Sequence, residues 1–240
     1  MKTINLFYLT PGVKYGGFPS YTAHLARSLK LQGYKPRILK VGNKTEFKTR
    51  PFMHKQGYLN VDPKTAIGLC ESAPSLIVCA YWSKTEAYLP QMLKAGASIV
   101  LHDPTEYDKN LMPLLKKNKN KVVAIRKGNA EYLQAAGLNA RFIQHPYVRT
   151  DKAQTKYENK RNAVAISRID WDKHTQIICE ANSLMKQEQS VHIYGAINRM
   201  FAHHKLVSSF PEWEDDWYKG TFPTDPLGPV KLAKESNWVV

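Results

Sequence analysis

Two cations stand five positions apart in the stretch "AISRIDWDKHT", Arg168 and Lys173. An apolar run ends just before Arg168, and a helical pattern opens near Lys173. A helix start leaves backbone N–H groups unpaired and favours anions. A guanidinium fork and an ammonium beside it would make a phosphate site. Asp170 and Asp172 lie between the two cations, so the same residues also read as a solvated, self-balanced cluster. A second constellation is His102-Asp103, which closes the apolar segment "ASIVLHD". Such a pair at the carboxyl end of a strand can orient or activate a hydroxyl. Asp103 also opens "DPTE", which fits a helix cap equally well. Gly16-Gly17 follows the first apolar segment and precedes a helical pattern. It lets a backbone approach a ligand closely, or it is simply a tight turn. It is neither a Walker loop nor GxGxxG, so a dinucleotide site has little support. His203-His204 is adjacent on a helical stretch and lacks Cys or carboxylate partners at ligand spacing. No metal site is expected.

These residues need a frame that collects them. "TINLFYL", "KPRILKV", "SLIVCAYW", "ASIVLHD", "KVVAI" and "ARFIQHPY" read as strands. Between them lie helical segments such as Pro19–Gln32, "KTEAYLPQMLKAG", "EYDKNLMPLLKKN" and "GNAEYLQAAG". Residues 43–62 read as a basic loop or weak hairpin. The alternation predicts an α/β fold with a parallel sheet. In such sheets ligands sit beyond the carboxyl ends of the strands, where both His102-Asp103 and Arg168 fall. Residues 149–162 are polar and aperiodic and read as a linker between a first domain, 1–148, and a second, 163–240. In the second, "AVAIS", "SVHIYG" and "WYKGTF" read as strands, and "DKHTQIICEANSLMKQ", "INRMFAHHKLVSS" and "PLGPVKLAKES" as helices. "NWVV" opens one more buried strand at the end of the sequence. The second domain is therefore expected to be incomplete, with the chain a fragment, or else unusually small.

The 240 residues carry a formal charge of +15. All of it lies early: residues 1–150 hold 23 Lys and Arg against 8 Asp and Glu, and residues 151–240 hold 12 against 12. Such asymmetry points to an acidic partner on the first domain, namely nucleic acid, an anionic membrane surface or an acidic glycan. Plain solubility is the competing account. Lys44, Lys48, Arg50 and Lys55, with Lys116, Lys117, Lys119, Lys121, Arg126 and Lys127, form a candidate phosphate-backbone groove. Tyr15, Phe18, Tyr81, Trp82 and Tyr107 are interleaved as possible base-stacking rings. "KKNKNK" taken alone is equally an ordinary solvated surface. The three Cys lie outside CxxC spacing, which argues against a disulfide framework or zinc and for a cytoplasmic setting. No segment is long enough to span a bilayer, and the N-terminus reads as a first strand rather than a signal peptide.

Taken in order, "GVKYGGFPSYTAHLARSLKLQGYKPRIL", "VLHDPTE", "NARFIQHPYV", "AVAISRIDWDKHT" and "VHIYGAINR" resemble the GT-B glycosyltransferases of the retaining, GT4-like kind. More narrowly they resemble the phage enzymes that glycosylate hydroxymethylated DNA bases. The resemblance spans nearly the whole chain. It implies two Rossmann-like domains, with the acceptor on the first and a nucleotide sugar, UDP-glucose, on the second. It implies that Arg168 and Lys173 bind the donor diphosphate and that Gly16 and Gly17 approach the donor or the transferred sugar. It further implies that His102 contacts the sugar and Asp103 positions the acceptor hydroxyl, with no cofactor or metal required. A basic acceptor domain fits a DNA acceptor. A lipid or glycan acceptor, or an inactive nucleic-acid-binding relic of the fold, remains an alternative. The acidic motif that this family carries beyond a strand like "NWVV" is absent from the sequence.

Overall fold

The computed structural model describes residues 2–10, 12, 16–53, 56–148, 163–221, 233, 236 and 238–240. The chain forms two compact units, Met1–Thr150 and Asp151–Val240. The residues read as a linker, most of the segment "PLGPVKLAKES", and Tyr15 and Lys55 lie outside the described residues.

The first unit is built on one sheet. Its strands are β1 (Thr3–Tyr8), β2 (Lys35–Val41), β3 (Glu46–Pro51), β4 (Gly57–Val61), β5 (Ser75–Cys79), β6 (Ser98–Leu101), β7 (Lys121–Ala124) and β8 (Asn139–Phe142). They lie in the order β3-β4-β2-β1-β5-β6-β7-β8. Every neighbouring pair is parallel except β3 with β4. Alternate side chains feed two cores, as the period of a strand buried on both faces requires. Phe7, Leu39, Ile77, Ile99 and Val122 enter one core, and Leu6, Tyr8, Ile38, Val78 and Val100 the other. Helix α1 (Gly17–Leu31) covers the second face through Tyr21, Ala23 and Ala26. Helices α2 (Pro63–Ser72), α4 (Leu89–Lys94), α5 (Leu111–Lys117) and α6 (Lys127–Ala135) supply Ala66, Met92, Leu115 and Leu133 to the first.

Residues 43–62 form a true hairpin, with β3 antiparallel to β4 and β4 parallel to β2. Polar "EFKTRP" sits on the sheet edge, where one face of the strand is not needed for the core. The helix expected over "KTEAYLPQMLKAG" is broken into α3 (Trp82–Thr85) and α4. Pro90 lacks the N–H that would carry the first piece onward and instead sits in the first turn of the second.

In the second unit, β9 (Ala163–Ile166) is the middle strand of three, in the order β10-β9-β11, all parallel. The others are β10 (Val191–Tyr194) and β11 (Trp238–Val239). Helices α7 (Thr175–Ser183) and α8 (Met200–Ser209) accompany them. Among the described residues the strand expected at "WYKGTF" is reduced to a single bridge. Trp213–Trp217 is a π-helical turn closed by Tyr218 N–H on the Trp213 carbonyl (2.7 Å). Among the described residues Tyr218 bridges to Ile193, Lys219 N–H donates to the Ile193 carbonyl (2.9 Å) and Gly195 N–H to the Gly220 carbonyl (2.9 Å), and Gly220 stands at φ 81°. Among the described residues no helix is long and apolar enough to cross a membrane.

Buried amides tie helices to strands. Asn182 on α7 donates to the Val191 carbonyl (3.0 Å) and accepts from Val191 N–H (2.8 Å). Asn182→Ala would strand a buried donor and a buried acceptor at once, so it is expected to lower stability by about 2–4 kcal/mol in urea unfolding. A loss below about 0.5 kcal/mol would show that the clamp is dispensable.

Candidate active site

In the first unit Thr10 Oγ1 lies 3.3 Å from Cys79 Sγ, and Phe18 in the first turn of α1 packs on Tyr81 after β5 and His102 after β6, at the carboxyl end of the sheet. Gly16 caps α1 at φ 108°, a conformation that any side chain would strain, while a Cβ on Gly17 would meet nothing within 4 Å. No side chain caps this helix start. His102 is 6% exposed, and its ring stands edge-on to Phe18 and Tyr21, each with centroids 4.7 Å away. Its Nε2 lies 2.8 Å from the Val78 carbonyl. A carbonyl only accepts, so Nε2 carries the proton and Nδ1 is the acceptor. Burial pushes the imidazole pKa down, which keeps the ring neutral.

Asp103 is spent largely on the backbone. Its Oδ1 accepts from Thr105 N–H (2.9 Å) and from the Thr105 hydroxyl. Glu106 Oε2 reaches back to accept from His102 N–H and from Asp103 N–H, the latter at 3.3 Å. The result is a capping box on a single 3₁₀ turn, Pro104–Glu106. Glu106, the last residue of "DPTE", is 3% exposed. Its Oε1 has no partner among the described residues. Burial raises its carboxyl pKa from 4.5 to about 7. Lys40, unanticipated, ends β2 with its ammonium 2.5 Å from the Thr10 carbonyl and 5.6 Å from the Tyr8 ring centre.

The basic residues do not form one groove. Lys44 follows β2, and Arg126 and Lys127 follow β7, all at the carboxyl end of the sheet. Lys116 and Lys117 end α5, Lys119 follows it and Lys121 begins β7, all at the opposite end. There Lys119 and Lys121, with Arg141, line an open cavity of about 650 Å³ floored by Ile4, Leu76 and Val123. Lys48 and Arg50 lie on the edge strand β3, with Arg50 ion-paired to Glu46.

In the second unit the chain leaves β9 through Ser167-Arg168. Arg168 donates from Nη2 to Asp172 Oδ2 (2.8 Å), and Lys173 Nζ stands 3.4 Å from the same oxygen. The two cations therefore converge on one anionic position, and Arg168 holds the Asp172 carboxyl below its usual pKa. All three side chains remain 41–51% exposed. Lys173 ends a 3₁₀ turn, Trp171–Lys173, and does not lie in a helix. His174, at φ 52°, separates that turn from α7. Gly195, at the end of β10, packs so close that an added Cβ would run into the Ser167 carbonyl and lie 3.3 Å from Arg168 Cα. Only glycine lets the two strand ends approach this way. Among the described residues no three His, Cys, Asp or Glu are placed to hold a metal ion.

No family model matches the sequence and no curated protein matches it. Solved structures do. A mutant of S. aureus TarM in complex with fondaparinux, α-GlcNAc-glycerol and UDP superposes with a TM-score of 0.66 at 12% identity, over 100% of this chain and 80% of that one. The pneumococcal O-GlcNAc transferase GtfA, in complex with UDP and GlcNAc, gives 0.66 at 8% identity, over 99% and 78%. An α-glucosyltransferase in complex with UDP and a 13-mer DNA containing a HMU base gives 0.63 at 12%, over 100% and 72%. The fold is that of the GT-B glycosyltransferases. In GT-B terms His102-Asp103 and Gly16-Gly17 belong to the first Rossmann-like unit, and Arg168 and Lys173 to the second.

Glu106 gives the first unit a pH signature. A buried carboxyl with a raised pKa keeps its proton longer in the folded state than in the unfolded one. Its stabilising proton is present below the ordinary carboxyl pKa and is lost as pH climbs through about 7. Glu106→Gln should therefore gain stability relative to the wild type between pH 5 and 8, by about 3 kcal/mol at most. Parallel stability curves over that range would refute the raised pKa.

Proposed function

We propose that this chain carries the machinery of a hexosyltransferase that moves a sugar, glucose by preference, from a UDP-sugar to a hydroxyl acceptor. The observation that carries the reading is the convergence of Arg168 and Lys173 on a single anionic position at the carboxyl end of β9. A diphosphate oxygen replacing the Asp172 carboxylate would meet a fork and a point charge at once. The same cations would offset charge developing on the leaving nucleotide. On the first unit, His102 is a neutral wall behind the sugar. Asp103 retains one oxygen, Oδ2, to orient the acceptor hydroxyl. Gly16 and Gly17 present bare backbone N–H groups to the transferred sugar.

The acceptor we favour is DNA bearing hydroxymethylated bases. The excess of basic residues in the first 150 positions supports it, as does the likeness to an α-glucosyltransferase crystallised with such DNA. Lys44, Arg126 and Lys127, at the carboxyl end of the sheet, are the phosphate contacts in this reading. A glycan acceptor is the second reading. Its support is the equally good superposition on TarM bound to α-GlcNAc-glycerol.

The test is transfer of label from UDP-glucose to duplex DNA containing hydroxymethylated or unmodified bases, alongside a glycan acceptor. Label is expected only in the hydroxymethylated duplex, with Arg168→Ala and Lys173→Ala each reducing transfer at least about a hundredfold. Label in the glycan alone selects the second reading. Intact transfer in both variants would remove the phosphate role.

A further inference from the structure

We propose that Arg199 is a third phosphate ligand of the β9 corner, oriented by the buried Asp170 carboxylate; the inference rests on the nucleotide reading of that corner. Strands β9 and β10 continue to pair beyond their formal ends. Ile169 N–H donates to the Ala196 carbonyl (2.8 Å), and Asn198 N–H to the Ile169 carbonyl (3.2 Å). A parallel bridge joins Ile169 and Ile197. This zipper sets Asp170 beside Asn198 and Arg199, although 28 residues separate Asp170 from Asn198 in sequence.

Asp170 is 5% exposed. Its Oδ1 accepts from Trp171 N–H (2.8 Å) and faces Arg199 Nε at 3.2 Å. Its Oδ2 accepts from Asn198 Nδ2 (2.6 Å) and lies 4.0 Å from Arg168 Nε. A carboxylate so far out of water must be compensated by charge and hydrogen bonds. Here it is compensated by two guanidiniums from two different loops, each facing it through Nε. That geometry leaves the terminal nitrogens of Arg199 for a ligand, and the side chain is 63% exposed. Two guanidiniums repel one another, and a shared buried carboxylate is what gathers them at one corner. Arg168, Lys173 and Arg199 face Asp170 and Asp172. A diphosphate that displaces Asp172 would meet three cations against one carboxylate. Lys could not replace Arg199, because an ammonium cannot hold Asp170 and present a planar fork together.

The test is calorimetric titration of the full chain with UDP and, separately, with inorganic pyrophosphate. Arg199→Ala leaves Asp170 its contacts with Trp171 N–H, Asn198 and Arg168, and is expected to fold. It should weaken both probes by about tenfold or more. Equal losses for both probes locate the effect at the phosphates. Arg199→Lys should restore little of the loss. Asp170→Asn adds one net positive charge, so bulk attraction alone would tighten binding. If Asp170 acts by orienting the arginines, this variant binds more weakly. Unchanged affinities in Arg199→Ala, with binding abolished in Arg168→Ala, would overturn the inference and leave the nucleotide reading intact. Failure of the wild type to bind either probe would overturn both.

Discussion

A helical turn that starts just after a parallel strand leaves its first backbone N–H groups unpaired, and carboxylates cap them repeatedly in this protein. Asp62 follows β4 and accepts from Thr65 N–H (3.0 Å). Asp103 and Glu106 follow β6 and close a reciprocal box. Asp170 follows β9 and accepts from Trp171 N–H (2.8 Å). The geometry of each corner depends on that carboxylate staying in place. Two of the three corners also hold the residues whose chemistry is proposed here. The acid that ends the strand therefore sets where His102 and Arg168 stand.

The two corners use their acids differently. After β6 the carboxylates are occupied with backbone, and His102 is neutral, buried and fixed on Val78. That corner is rigid and offers shape. After β9 the buried acid Asp170 holds cations, and a second, exposed acid, Asp172, pairs with both Arg168 and Lys173. That corner offers charge. In the proposed reading the first corner would serve the acceptor and the second the donor diphosphate.

Much of the frame was legible because strands buried on both faces read as short apolar runs. The capping box was legible in "DPTE". The hairpin was harder to see, since an edge strand such as "EFKTRP" owes its place to backbone pairing and carries no apolar pattern. "WYKGTF" pairs with β10 only briefly, because its Trp217 ends a π turn across which Trp213 and Tyr218 stack on each other, with centroids 5.0 Å apart. Lys116–Lys121 were grouped with Arg126 and Lys127 by nearness in sequence. Strand β7 lies between them and carries the two sets to opposite ends of the sheet. Glu106 is legible as the last residue of the capping box, but its burial is not, and nothing in "VHIYGAINR" sets Arg199 apart. Only the packing of the chain and the pairing of distant loops reveal these.

In the proposed reading Arg168 and Lys173 form a diphosphate site whose place Asp172 occupies. Titration of UDP into the wild type and into Asp172→Asn tests it most directly, because the substitution removes the competing anion and leaves both cations. Tighter binding in Asp172→Asn, with the gain shrinking as salt rises, is the result predicted. Weaker binding in the variant, or none in either protein, would contradict it.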